Sequence, residues 1–354
     1  MRKFLAILLS ILIIIGCNFY IQNNFYLLKP GSLENLAQMV NIGEKSGAKN
    51  EEGFYLVTAA QQRANLPLLI YALFNPTIDI RKKASFIPSG MTIEEYKELM
   101  RQWMKESQLM AKVIALRRLG YDVEIVSKGI EVVGFLEKSP AKGILQKGDI
   151  IKAVNGTPVS LVDEVIAKVQ ELPIGETVSL TVERGLETFE LVMPTTSDSE
   201  EPDKAALRVY ICSLNREAKL PLEIEIDTGQ IGGPSAGLMF VLEIVNQLTA
   251  GDLTGGYKIA GTGTININEK IGTIGGVKQK IAAAEMAGVD YFFVPKGNYE
   301  LAKASAKEVN VIPVTELEEV LIFLDSLAAG AELFDKDKDL CYTINPNTKI
   351  AYIN

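Results

Sequence analysis

Every position from Phe4 to Ile15 except Ser10 is apolar, a run that predicts an uninterrupted apolar helix rather than a half-exposed one. Beyond it, residues 22–90 mix short apolar runs with turn residues; Gly53-Phe54-Tyr55-Leu56-Val57-Thr58 reads as a strand, and no chemistry is legible there. A long helix is predicted over 92–119, because Thr92 and Glu95 have capping-box spacing, Pro88, Ser89 and Gly90 break the chain just before, and Gly120 ends it. Met100, Trp103 and Met104 on this helix read as packing groups. Between Val123 and Pro194 the period shortens. Strands are expected at Glu131–Leu136, Ile150–Val154, Val178–Val182 and Phe189–Val192, with a turn at Asn155-Gly156 and one short helix from Val162 to Leu172. Thr195 to Asp203 is polar throughout apart from Pro202 and reads as a linker.

Residues 207–327 alternate again. Strands are expected at Arg208–Cys212, Leu222–Ile226, Lys258–Gly261, Thr264–Ile267 and Tyr291–Val294, and helices from Pro234 to about Thr249, from Val277 to Ala287 and from Thr315 to Leu327. The fold class is therefore multidomain: an N-terminal anchor, a β-rich unit and an α/β (α+β) unit. The boundaries read as 1–21 for an anchor or leader, 22–121 for a strand-containing region with the long helix, 122–194 for the β-rich unit, 195–206 for the linker, 207–330 for the α/β unit and 331–354 for a tail.

Composition narrows the chemistry. The 354 residues include no histidine, which excludes Ser-His-Asp and Cys-His catalysis and His-rich zinc sites. Acid/base work must fall to Lys, Asp, Glu, Tyr or Cys. A net charge of −8 with scattered lysines gives no reason to expect a nucleic-acid partner. Cys17, Cys212 and Cys341 lie far apart, so neither a metal site nor a redox pair is expected, and no cofactor is implied.

Arg2 and Lys3 precede the apolar run and no Lys or Arg follows until Lys29, which orients the start to the inner side of a membrane and the bulk of the chain to its outer side. Three fates fit the segment. Phe4 to Ile21 is about the minimum for a span, and Asn18 lies within it; Ile14-Ile15-Gly16-Cys17 resembles a lipoprotein cleavage box with Cys17 as the lipidated residue; and cleavage would release the chain.

Two turns carry candidate chemistry. In Gly232-Gly233-Pro234-Ser235-Ala236-Gly237 a tight glycine turn runs into an apolar helix, and Ser235 falls in its first turn beside free backbone N–H groups suited to an oxyanion. A helix-capping serine fits the same pattern. In Ile274-Gly275-Gly276-Val277-Lys278-Gln279-Lys280-Ile281, helical period puts Lys280 on the stripe of Val277, Ile281 and Ala284 that faces a core, whereas Lys278 joins Ala282 and Glu285 on a more polar one. Burial and the positive helix end both depress the pKa of an inward lysine and make it a usable base. A lysine that reaches outward or pairs with a carboxylate is the competing reading.

The β-rich unit resembles a PDZ domain through Gly129-Ile130-Glu131-Val132-Val133-Gly134-Phe135, Ser139-Pro140-Ala141, Leu145 to Ile151 and Val154-Asn155-Gly156. The resemblance implies that Val132, Val133, Gly134 and Phe135 bind an extended peptide by strand addition, recognising C-terminal tails. A spacer that only holds the next unit away from the membrane is the alternative. Gly-Pro-Ser235-Ala-Gly, Thr262-Gly263 and Gly-Gly-Val-Lys-Gln-Lys280, with 280 − 235 = 45 residues between the polar pair, resemble the proteolytic domain of Lon proteases. The whole looks like the membrane-anchored PDZ-Lon proteins of Gram-positive bacteria. The resemblance implies a Ser/Lys endopeptidase with Ser235 as nucleophile, Lys280 as general base and Thr262 as the group that holds the lysine, with Gly233, Pro234 and Ala236 shaping the oxyanion turn. It also implies homo-oligomeric rings.

Two positions depart from that pattern: Gly232 and Thr264 stand where Lon proteins usually have acidic residues. Without a G-x-x-x-x-G-K-[ST] loop, ATP-driven unfolding is not expected from this chain, which points to short or loosely structured substrates. A peptide-binding adaptor with a silent protease unit is the alternative function. Ser46 with Lys49 and Ser139 with Lys142 have Ser-x-x-Lys spacing without companion motifs. Asp335, Asp337 and Asp339 begin like a calcium loop, but Leu340 replaces its glycine and Pro346 its final glutamate.

Overall fold

The computed structural model describes residues 2–43, 45–46, 52–88, 91–126, 129–198, 201–214 and 217–328. Lys49, Ser89, Gly90 and the tail 331–354, with its aspartates, Cys341 and Pro346, lie outside the described residues. The elements that build the fold are, in chain order, α1 (Arg2–Asn24), β1 (Phe25–Asn35), β2 (Gly53–Arg63), α2 (Leu66–Leu73), β3 (Asp79–Lys82), α3 (Ile93–Arg118), β4 (Ile130–Phe135), β5 (Ile150–Val154), α4 (Val162–Gln170), β6 (Thr177–Arg184), β7 (Glu187–Pro194), β8 (Val209–Ser213), α5 (Gly237–Leu248), β9 (Lys258–Gly261), α6 (Val277–Met286), β10 (Tyr291–Pro295), α7 (Tyr299–Ser305), β11 (Asn310–Val314) and α8 (Leu317–Ala328).

Helix α1 is long and apolar enough to cross a membrane and is exposed from Lys3 to Asn24 except at Asn18 and Ile21. Helix α3 starts as its sequence dictates: the Thr92 hydroxyl oxygen accepts from the Glu95 N–H while the Glu95 carboxylate accepts from the Thr92 N–H, the reciprocal cap.

The central sheet runs β11-β10-β9-β2-β1-β3, with β2, β9, β10 and β11 mutually parallel and β1 antiparallel to both neighbours. Side chains that alternate across a strand feed two cores. On β10, Phe293 faces a core shared with Met104 and Ile114 of α3, Phe240 of α5 and Leu321 of α8, whereas Phe292 faces one shared with Val277 and Ile281 of α6 and Ala302 of α7. The result is three layers, with α3, α5 and α8 on one face of the sheet and α6 and α7 on the other.

This arrangement redraws the boundaries expected from sequence. Residues 22–121 are not a separate unit: β2 pairs in parallel with β9, Gly53 to Leu56 against Lys258 to Gly261, and Phe54 and Leu56 are buried in the same core as α5. The sequence break at the β-rich unit marks an insertion between α3 and the rest of one fold, which local pattern cannot distinguish from a domain boundary.

The inserted unit is the sheet β7-β6-β5-β4-β8 with α4 against it. Its Gly148-Asp149 turn is structural: the fully buried Asp149 carboxylate accepts from Arg184 at 2.7 and 2.8 Å and from the Gln146 N–H at 2.8 Å. Asn155 and Gly156 both take positive φ, 48° and 74°, the conformation of a tight hairpin turn. Strand β8 contradicts expectation. Arg208 to Cys212 read as the first strand of the α/β unit, yet the strand, formed by Val209–Ser213, pairs antiparallel with β4, Val209 opposite Phe135 and Ser213 opposite Ile130.

Candidate active site

Ser235 and Lys280 approach from opposite faces of the central sheet and meet at the carboxyl end of its parallel strands, beside Thr262 immediately after β9. Such strand ends are where α/β sheets leave space for a ligand.

The turn before α5 differs from the expected one. Helix α5 begins at Gly237 rather than Pro234, so Ser235 precedes the helix. The reason lies in its carbonyl, which accepts from the Gly263 N–H at 2.9 Å and from the Thr262 hydroxyl at 3.0 Å and is thus tied to the end of β9 rather than to a helical amide. The first regular helical bond of α5 runs from the Phe240 N–H to the Ala236 carbonyl at 3.1 Å. The residue at the helix cap, Ala236, makes no side-chain capping bond, and the half-buried Ser235 side chain is engaged elsewhere.

Helix α6 starts at Gly276, whose φ of +73° suits glycine, and a Cβ there would come within 3.1 Å of the Ala59 side chain. One turn on, Lys280 is only 4% exposed. Its Nζ lies 2.8 Å from Ser235 Oγ and 2.8 Å from Thr262 Oγ1. Burial pushes its pKa down to about 7, and no carboxylate among the described residues opposes that shift. Lys278, on the other stripe, instead pairs with Asp79 at 2.7 Å.

These contacts orient the amine. The Thr262 hydroxyl proton is committed to the Ser235 carbonyl, so Thr262 Oγ1 receives an N–H from Lys280. The lone pair of a neutral Lys280 is then available to the Ser235 hydroxyl. A fully buried threonine thus fixes both the serine backbone and the lysine nitrogen.

Of the three residues expected to shape the oxyanion turn, only Ala236 has an N–H to offer. The Gly233 N–H donates to the Met100 carbonyl at 2.8 Å, and Pro234 has none. The Ser235 and Ala236 amides have no hydrogen-bond acceptor among the described residues.

Sequence reading missed the role of α3. Besides Met100, the Ser107 hydroxyl donates to the Pro234 carbonyl at 3.1 Å, so two successive stretches of α3 hold the turn that carries Ser235. Contact with α3 also accounts for Gly232: a Cβ there would stand 3.0 Å from Met100 Cβ and 3.3 Å from its carbonyl carbon. An acidic side chain would need the space that α3 fills. Between these contacts Trp103 donates its indole N–H to Ile211 O at 3.3 Å and to Cys212 Sγ at 3.0 Å and stacks on Tyr210, which joins α3 to β8. Only a partner 108 residues away could have revealed this. Burial, then the Glu106 carboxylate, push the Cys212 thiol up to about 12, so it stays protonated.

The other sequence candidates lie elsewhere. Val132, Val133, Gly134 and Phe135 lie on β4; β8 occupies one edge of that strand from Ile130 to Phe135, so a peptide cannot add at that edge while β8 is in place, whereas β5 pairs on the other edge only with Ile130 and Glu131. Cys17 is exposed on α1. The Ser139 hydroxyl donates to Leu207 O at 2.8 Å, a structural bond. Among the described residues no group of three or more Cys, Asp or Glu could hold a metal ion.

Residues 215–325 match the family model of the Lon protease (S16) C-terminal proteolytic domain, and residues 117–193 match that of the PDZ domain. The Lon protease of Roseiflexus castenholzii is 32% identical over 136 residues, 34% of this chain and 17% of that protein. The Lon protease of Mycoplasma pneumoniae is 34% identical over 123 residues, 33% of this chain and 15% of the relative. The chain therefore spans about a sixth of the length of these relatives. Among solved structures, the PDZ domain of an SdrC-like protein from Listeria monocytogenes aligns with 25% of this chain and 92% of its own at 19% identity, with a TM-score of 0.23. The resemblances drawn from the Gly-Pro-Ser, Thr-Gly and Gly-Gly-Val-Lys motifs and from the PDZ-like strands agree with both family models: the chain carries a Lon-type proteolytic domain and a PDZ domain.

Proposed function

We propose that this chain, with its Lon-type proteolytic domain and PDZ domain, is a serine endopeptidase that works through a Ser235/Lys280 dyad. The observation that carries the reading is the buried Lys280 amine, 2.8 Å from Ser235 Oγ, with a pKa lowered by burial to about 7. Neutral Lys280 takes the Ser235 proton as Oγ attacks a peptide carbonyl; the Ser235 and Ala236 N–H groups stabilise the oxyanion. The ammonium then protonates the leaving amine as the C–N bond breaks. Water, deprotonated by the same amine, hydrolyses the ester and frees Ser235. Thr262 holds the amine throughout.

Substrates are peptides or unfolded segments, because nothing in this reading supplies ATP-driven unfolding. The PDZ domain recruits them at a place other than the edge of β4 that β8 occupies. The sheet's outer strands are β7 and β8. Helix α1 anchors the protein, as a single span or through lipidated Cys17, and the bulk of the chain works outside the membrane. A silent adaptor would leave a buried lysine, uncompensated by any acid among the described residues, without a task beside Ser235.

The test compares, by mass spectrometry, the extracellular and membrane peptides of cells carrying wild type, Ser235→Ala or Lys280→Ala. Peptides that disappear in both variants support the reading, and an unchanged pool overturns it.

A further inference from the structure

Helix α2 is apolar all round. From Asn65 to Pro76 the chain, Asn-Leu-Pro-Leu-Leu-Ile-Tyr-Ala-Leu-Phe-Asn-Pro, holds no charged residue. One face, with Leu68, Leu69 and Ala72, packs on Leu27 and Phe25 of β1 and Ile21 of α1. The opposite face follows helical spacing through Pro67, Ile70, Tyr71 and Phe74 and meets solvent. Ile70 is 50% exposed, Tyr71 57%, Leu73 68% and Phe74 84%. A helix that is hydrophobic on every side belongs inside a core or a membrane, and a contiguous exposed apolar patch marks an interaction site.

Three further observations identify what covers it. The Leu66 N–H donates to the Asn18 side-chain oxygen at 3.0 Å, which fixes the start of α2 to α1. Asn18 lies six residues before the end of α1, about 9 Å at ~1.5 Å per residue, so α2 begins at the depth where an α1 span would leave the hydrocarbon. The aromatic Phe19 and Tyr20 are exposed at the same level. Finally, Lys82 pairs through its backbone with Phe25, the residue that follows α1, and Lys83 comes next, which places two basic side chains beside the exit.

We propose that α2 is an interfacial helix lying in the outer boundary of the lipid bilayer beside the exit of α1, with Ile70, Tyr71, Leu73 and Phe74 inserted and Lys82 and Lys83 facing phosphate headgroups. The inference rests on the reading of α1 as a membrane anchor. Its consequence is orientation: α2 joins β2 to β3, so a docked α2 holds the central sheet in a fixed pose on the membrane instead of leaving it to swing from α1.

The test reconstitutes the full chain in vesicles of phosphatidylcholine and phosphatidylglycerol carrying bromine at defined depths. Tryptophans are introduced singly as Phe74→Trp, Leu12→Trp and Leu186→Trp, with wild type, whose sole tryptophan is Trp103, as baseline. Leu186, fully exposed in the turn between β6 and β7, is the aqueous control. The proposal expects loss of most of the Phe74→Trp emission with bromine high on the acyl chain, loss of Leu12→Trp emission with deep bromine, and none for Leu186→Trp. Quenching of Leu12→Trp without Phe74→Trp overturns the proposal while the anchor stands. Blue-shifted, unquenched Phe74→Trp emission that reddens as protein is diluted into lipid assigns the face to a second copy and also overturns it. An unquenched Leu12→Trp removes the anchor and this inference with it.

Discussion

Lys280 Nζ and Ser235 Oγ stand 2.8 Å apart although α6, which carries the lysine, and α5, which the serine precedes, cover opposite faces of the central sheet. The contact exists because β9 ends between them and places Thr262 where it can bond both the Ser235 carbonyl and the Lys280 amine. A buried amine held this way costs stability and gains reactivity, and the two effects can be measured separately.

Thr262 is expected to matter through its hydroxyl. Thr262→Val keeps the shape but leaves the Ser235 carbonyl and the amine each short of a partner, at about 1–3 kcal/mol for an unsatisfied buried group. Peptide cleavage by Thr262→Val should fall at least roughly tenfold in kcat, since about 1.4 kcal/mol is one power of ten. Thr262→Ser should recover most of it. Steady-state kinetics of the two variants make the comparison.

Lys280→Met should stabilise the fold while abolishing cleavage. The native pKa of about 7 lies below the ordinary 10.5, so between those values the unfolded chain binds more protons than the native one and wild-type stability rises with pH. Below pH 7 the wild type bears the whole penalty, up to about 5 kcal/mol at ~1.4 kcal/mol per unit. Urea unfolding from pH 7 to 10 should show a steeper upward slope for wild type than for Lys280→Met.

The contact of α3 with the nucleophile turn predicts two losses. Ser107→Ala removes the donor to the Pro234 carbonyl and should lower kcat by roughly tenfold with little change in KM, on the basis of ~1–1.5 kcal/mol for one hydrogen bond. Gly232→Asp, which puts back the acid usual in Lon proteins, should drive Met100 away and lower thermal stability by about 1–3 kcal/mol. A fluorimetric melt and the same peptide assay check both.

Much of this site was legible because it rests on local rules. The period of α6 separates inward Lys280 from outward Lys278, and the two glycine turns announce themselves. Long-range pairing was not legible. Nothing in Gly53–Thr58 says that it will lie parallel to Lys258–Gly261, and nothing in Val209–Ser213 says that it will join β4 of the inserted unit rather than the sheet expected to follow. The start of α5 shifted by three residues for the same reason: Gly263 and Thr262, distant in sequence, claim the Ser235 carbonyl.

The most direct measurement is the rate at which a serine-directed acylating reagent modifies Ser235 as a function of pH, followed by intact-protein mass spectrometry with peptide mapping. The rate is expected to rise through about pH 7 as Lys280 loses its proton, to level off above it, and to be lost in Lys280→Ala while Lys278→Ala retains most of it. A rate that climbs only near the ordinary lysine range, or that survives in Lys280→Ala, would contradict a Ser235/Lys280 dyad.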